Sequence, residues 1–246
     1  APPMSARNAA PASDLTLRAV PAIKEIDAAA WNACANPTVS AVQAVQPNSE
    51  ECSMSGESAS EIPSNPFISY EFLSSLEDSS SAVARTGWQP QHLLAEATDG
   101  TIAGVVPCYL KSHSRGEYVF DRGWAEAYER AGGSYYPKLQ VSVPFTPATG
   151  RRLLVRPSPD AERIREGLTA GLIELCRMHH ASSVHLTFLP ESESTLLAEH
   201  KFLHRTDQQF HWENGGYPTF DAFLEALSAR KRKTIRRERR DAQAAA

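Results

Sequence analysis

The order of predicted elements points to an α/β (α+β) fold built on a mixed central sheet with helices on both faces. Three observations carry this. Strand-like apolar runs alternate with helical patterns in the second half of the chain, which implies crossovers and some parallel pairing. Asp99-Gly100 lies between two apolar runs, the pattern of an antiparallel hairpin. The segment AERIREGLTAGLIELCRMHH, residues 161–180, puts Ile164, Leu168, Gly171 or Leu172, Leu175 and Met178 on one stripe, as expected of a helix lying on a sheet.

The elements follow from local pattern. LTLRAVPAIKEI, residues 15–26, begins with Leu15, Leu17 and Ala19 on one side and Thr16 and Arg18 on the other, a strand. Asp27 then suits the N-cap of a short helix, AAAWNACA, with Trp31 facing inward. Residues 35–64 are rich in Ser, Pro, Ala and Glu and poor in large apolar groups, so a mobile insertion is expected. Asn65 as N-cap and Pro66 at the first helical position open a helix over NPFISYEFLSSLEDS. The hairpin follows, and then the runs VVPCYL and KLQVSV, expected to be neighbours in the sheet. The insertion between them contains a helix, WAEAYERA, with Trp124 and Tyr128 on one face. Beyond the long helix come a buried strand, SSVHLTFLP, a short helix, ESESTLLAEH, and one or two strands in FLHRTDQQFHWEN. Residues 218–240 read as a single helix with Phe220, Phe223, Leu224 and Leu227 on its apolar side.

Composition bounds the function classes. With 41% hydrophobic and 22% charged residues, the chain has the make-up of an ordinary globular protein, with length for one large or two small domains. No apolar run is long enough for a membrane-spanning helix, and residues 1–14 look like a disordered leader. Cys34, Cys52, Cys108 and Cys176 are far apart and form no CxxC pair, so no metal site is expected and a reducing, cytoplasmic setting is. The net charge is −4, yet residues 230–241 carry +6, which leaves −10 for the remainder. A basic segment of this kind is a solvated helix face or a contact for phosphates.

Chemistry-bearing residues concentrate between Gly104 and Val155. Aromatic rings give a site its shape and ionisable groups give it proton chemistry. His113 is a proton-transfer candidate because imidazole titrates near neutrality; its bland reading is an exposed loop histidine. Glu117 and Asp121 could orient it or act as bases, or pair with Lys111, Arg115 or Arg122 at the surface. Tyr118, Tyr135 and Tyr136 can stack on a substrate, donate a hydrogen bond, or simply rim the core. Lys111 and Lys138 could hold a substrate carboxylate or phosphate. His185 lies in a strand and reads as structural, and His179-His180 complement a helix C-terminus.

The words NPFISYEFLSSLE, the stretch from Tyr109 to Val155, and FLEALSARKRKTIRRER resemble the FemAB-like predicted N-acyltransferases, bacterial proteins labelled peptidoglycan biosynthesis or recognition. The resemblance covers nearly everything outside the leader and the 35–64 insertion. It implies two tandem domains of the GNAT (acyl-CoA N-acyltransferase) kind: the first over 15–217, the second opening at 218–246. The chain would then be the N-terminal part of a longer enzyme. The candidates that the residues themselves offer for such a reaction are His113, Glu117, Asp121 and Tyr118 as catalytic groups and Lys111, Tyr135, Tyr136 and Lys138 as substrate-binding ones. A donor's pyrophosphate would lie at Thr149, Gly150, Arg151 and Arg152, although the superfamily's full Arg/Gln-x-x-Gly-x-Gly/Ala loop is absent. No tightly bound cofactor is implied; acyl-CoA is the co-substrate expected, with aminoacyl-tRNA as another donor and a small-molecule or peptide amine as acceptor. Self-association through the C-terminal helix is expected where its apolar side finds no other cover. The competing class is a non-catalytic module that recognises a peptide or cell-wall fragment.

Overall fold

A computed structural model describes residues 15–37, 64–208 and 210–245. The expected leader, 1–14, and most of the expected insertion, 38–63, lie outside these residues. The chain divides into two units, one running to His204 and one from Arg205.

The first unit is a mixed α/β structure, but its strands form two four-stranded sheets. They are β1 (Thr16–Val20), β2 (Trp88–Pro90), β3 (His92–Glu96), β4 (Ile102–Val106), β5 (Cys108–Lys111), β6 (Lys138–Val141), β7 (Leu154–Val155) and β8 (Val184–Leu186). The first sheet has the order β1-β3-β4-β7 and is antiparallel throughout. The second, β2-β5-β6-β8, is antiparallel except for the parallel pair β6–β8. The division has a local cause. Each arm of the hairpin is interrupted once, at Gln91 and at Pro107, and Pro107 has no N–H to give to a ladder. The Gln91 N–H still reaches the Cys108 carbonyl at 2.8 Å, so the two arms stay together while they pass from one sheet to the other. The hairpin turn forms as expected: Gly100 has φ +81° and the Asp99 carboxylate accepts from the Thr101 N–H.

Helices cover both faces of the first sheet. On one side, α1 (Ala28–Ala35) and α2 (Tyr70–Asp78) bury Trp31, Cys34 and Leu73 against Leu94, Val105 and Leu154. The Asp27 side chain caps α1, and the Trp31 indole N–H bonds the Ile68 carbonyl at 2.9 Å. Asn65 caps only a 3-10 turn at Pro66–Ile68; Ser69 is the cap that starts α2. A third helix, α3 (Arg122–Arg130), lies in the insertion between β5 and β6. On the other side of the sheet, α4 (Ala161–Met178) buries Ile164, Leu168, Leu172 and Leu175 against Leu93, Ala95 and Val155. Met178, expected on that stripe, is exposed at the C-terminal end of the helix. Gly171 faces the sheet so closely that a Cβ there would meet Leu17 Cδ1 at 2.8 Å. The strand expected in SSVHLTFLP shrinks to the half-buried β8, and α5 (Glu191–Glu199) follows.

In the second unit no strand forms among the described residues of 205–214. The single helix expected over 218–240 is two: α6 (Phe220–Ala226), capped by Thr219, and α7 (Ala229–Ala244). Leu227 is extended at ψ 157°, breaking the run. Past it only Ile235 is large and apolar, so no continuous apolar face holds the two segments in line. Phe223 packs edge-on against Trp212 and Tyr217, and the Arg239 guanidinium lies 4.3 Å from the Phe220 ring.

Candidate active site

Alternation along β5 and β6 sends Cys108, Leu139 and Val141 into the core under α4. It sends Tyr109, Lys111, Lys138 and Gln140 to the opposite face of the second sheet. The register puts Lys111 directly across from Lys138, and Trp88 across from Lys111. Both lysines are fully buried. Two ammonium groups facing each other without water are unfavourable unless anions reach them. The loop after β5 brings those anions back. Lys138 Nζ donates to Glu117 Oε2 at 2.8 Å and to Asp121 Oδ2 at 2.6 Å. Lys111 Nζ is 3.9 Å from Glu117 Oε1, donates to the Arg115 carbonyl at 3.3 Å, and sits 3.4 Å from the Trp88 ring centroid. Two lysines and two carboxylates thus balance within one enclosed cluster.

Asp121 joins this cluster to the surface. Its Oδ2 also accepts from Tyr135 Oη at 2.9 Å and Ser114 Oγ at 2.8 Å. Ser114 in turn shares a hydrogen bond with Tyr136 Oη. Asp121, Ser114 and Tyr136 line an open cleft of about 400 Å³, walled by Phe120 and Ala125 and with Glu129 beside them.

The environment sets the protonation of each group. Burial pushes Lys111 down to about 7, with the Glu117 charge opposing and the Lys138 charge reinforcing the shift. Burial raises Glu117, against the attraction of Lys138. Burial would raise Asp121 too, but the hydrogen bond and charge of Lys138, with Ser114 and Tyr135, bring it below the usual carboxylate range. Burial and the Asp121 carboxylate raise Tyr135.

The structure therefore brings Lys111, Glu117, Asp121, Tyr135, Tyr136 and Lys138 together. The lysines are enclosed and spend their charge on the chain's own carboxylates, so neither faces open solvent. His113 stands apart. Its Nδ1 accepts from the Arg115 N–H at 3.2 Å and its ring lies on Gly87, where a Cβ would come 2.3 Å from Nε2. Burial and the charges of Lys111 and Arg115 lower its pKa. Among the described residues no hydrogen bond joins it to Glu117 or Asp121. Tyr118 is 55% exposed at φ +57° and lies outside the cluster.

The loop Thr149–Arg152 is built inward. Gly150 N–H bonds the Phe188 carbonyl at 3.0 Å, while Thr149 is exposed. Arg151 donates to the Ala35 carbonyl at 2.6 Å. Arg152, fully buried, donates to the carbonyls of Ala148, Gly150 and Arg151, and Glu193 caps the Arg152 and Leu153 N–H groups. Burial lowers Arg152 to about 10. Both guanidiniums satisfy backbone acceptors that an interior loop would otherwise leave unpaired, and neither is turned outward to a phosphate.

Sequence reasoning missed Ser114 and Trp88. Trp88 was within reach through strand alternation, which pairs it with Lys111; a lone Ser in a polar loop gives no such signal.

No curated protein matches the chain. Among solved structures, an acetyltransferase from Trypanosoma brucei is similar at 13% identity and a TM-score of 0.37, over 82% of this chain and 100% of that one. A likeness that slight carries no argument about activity. The profile of the FemAB-like family, described as peptidoglycan biosynthesis/recognition, matches residues 22–246, nearly the whole chain, and the chain belongs to that family.

Proposed function

We propose that the chain is an N-acyltransferase of the GNAT kind, moving an acyl or aminoacyl group from an activated donor to an amine. The observation that carries this is Asp121. It is fixed on Oδ2 by Lys138, Tyr135 and Ser114, and it lines the open cleft. Held below the usual carboxylate range, it is ionised at neutral pH and attracts an ammonium group. The amine must shed a proton before its lone pair can attack, and the Asp121 carboxylate is the group placed at the cleft to receive it. Attack on the acyl carbonyl forms the amide bond, and the thiol or ribose hydroxyl of the donor leaves with a proton.

Acyl-CoA is the donor class favoured, aminoacyl-tRNA the other; the acceptor is an amine of a peptide such as a peptidoglycan precursor carries. Family membership supports the peptide. Arg151 and Arg152 donate to backbone carbonyls, while Arg151 Nη1 and Arg152 Nε have no hydrogen-bond partner.

The test is release of free CoA thiol from acetyl-CoA in the presence of a lysine-containing peptide. Asp121→Asn is expected to lower the rate by about 10²-fold with the melting temperature monitored in parallel. Peptide binding without turnover, in a folded wild-type chain, would favour the second reading, a recognition module. The full enclosure of Lys111 and Lys138 is the observation on that side.

A further inference from the structure

The polar face of the second sheet continues past Lys138 onto β8, where a different pair of side chains meets. Val184 and Leu186 pack against the core under α4, so His185 and Ser183 point to the other face, the face of Lys138 and Gln140. Ser183 Oγ and His185 Nε2 are 2.8 Å apart. Ser182 Oγ lies 3.2 Å from Ser183 Oγ and donates its only proton to the Tyr135 carbonyl. Ser182 can therefore only accept from Ser183. The single Ser183 proton serves one of the two contacts, and it goes to His185 Nε2, the nearer and more basic, in the imidazole tautomer that carries its own proton on Nδ1. Both residues are half-buried.

A second observation points to a ligand here. Gln140 is the direct neighbour of His185 in the β6–β8 register and is fully buried. Its Nε2 donates to Thr187 Oγ1, while its Oε1 has no hydrogen-bond partner. An unpaired buried acceptor beside a hydroxyl–imidazole couple is a group waiting for a donor. The ring of His185 also stands edge-on to Tyr135, 6.0 Å between centroids, and Tyr135 holds Asp121. The couple is thus one side chain away from the cleft residue.

We propose that Ser183 and His185 form a nucleophilic couple that takes up an acyl group from an activated ester or thioester, a step that rests on the acyl-transfer reading above. Ser183 Oγ attacks the carbonyl carbon while its proton passes to His185 Nε2. As the tetrahedral species collapses, the bond from carbon to the leaving sulfur or oxygen breaks. The leaving group recovers the proton from the imidazolium, and an ester remains on Ser183. An amine then attacks the ester, the amide forms, and the proton returns to Ser183 Oγ.

The experiment exposes the full chain to p-nitrophenyl acetate and locates the product by intact mass and peptide mapping. One acetyl group is expected, on Ser183. Ser183→Ala should abolish it, His185→Gln should slow it by about 10²-fold, and Ser112→Ala, an exposed serine off this face, should leave it unchanged. If Ser183→Ala fails to fold, the wild-type map decides alone. Acetyl found on another residue, or none on a folded wild-type chain, overturns the couple. Adding an amine separates the two proposals: ester lost to water alone leaves the couple standing and removes the transfer to amines. An amide made from acetyl-CoA with Ser183 never labelled does the reverse.

Discussion

Lys111 is a lysine whose solvation has been removed and only partly replaced. Its charge meets the Trp88 ring and a carboxylate at 3.9 Å, against the 2.8 Å and 2.6 Å contacts that hold Lys138. The shift has a consequence for stability. The unfolded chain holds the Lys111 proton up to about 10.5, and the folded chain gives it up near 7. Between those values the unfolded state binds more protons, so this group makes the protein more stable as pH rises and less stable as it falls toward 7. From pH 7 to about 8.5 the melting temperature of wild type should therefore climb relative to that of Lys111→Met, which has no proton to lose there. Parallel curves would show that Lys111 is not shifted. Glu117 acts in the same region of the site with the opposite sign, its raised value making the folded state the better proton binder just above the ordinary carboxylate range. Much of this cluster was legible in the sequence: six residues expected at a site do meet. What pairwise pattern could not supply was direction. His113 is within a few residues of Glu117, yet the left-handed turn at Gly87 draws its ring away, and the arginines of the 149–152 loop answer to local backbone carbonyls.

At the scale of elements, the clearest words in the sequence became the firmest structures. The Asp27 cap, the Asp-Gly turn and the stripe of α4 depend on neighbours within a turn or two, so local pattern suffices. The failures lie where a segment's fate is set from outside. The extent of β8 depends on what lies beside it, and the α6–α7 break depends on where apolar residues run out. The contact of α4 with the sheet belongs to this scale as well. Gly171 lets the helix approach Leu17 and Leu93. Gly171→Val would drive a branched side chain into both, and urea denaturation should show a loss of about 1–3 kcal/mol. An unchanged midpoint would mean that the helix can lift off the sheet freely.

For the whole molecule, the segment where one unit passes into the next is open to solvent among the described residues. Leu203, Phe210 and Trp212 are 97%, 87% and 67% exposed, in a stretch that has no regular structure among its described residues. Chymotrypsin at low ratio should cut there first and leave an N-terminal fragment that resists further cleavage. Primary cuts within residues 88–111 would instead place the soft spot inside the sheets. No helix among the described residues is long and apolar enough to cross a membrane. The division of the sheet at Gln91 and Pro107 was not foreseen from pattern, since a single strand period runs through both arms of the hairpin and only the missing N–H interrupts it.

The facing lysines also bear on how the chain folds. Strands β5 and β6 are separated by 26 residues, and their terminal rung opposes two positive charges. That rung cannot close favourably until the intervening loop has folded back and delivered Glu117 and Asp121. Closing that rung should therefore wait on the loop and contribute to the folding barrier. Lys111→Met removes one of the two charges and with it the need to wait. Stopped-flow refolding of that variant is expected to be faster than wild type, and an unchanged refolding rate would place the pairing after the barrier altogether.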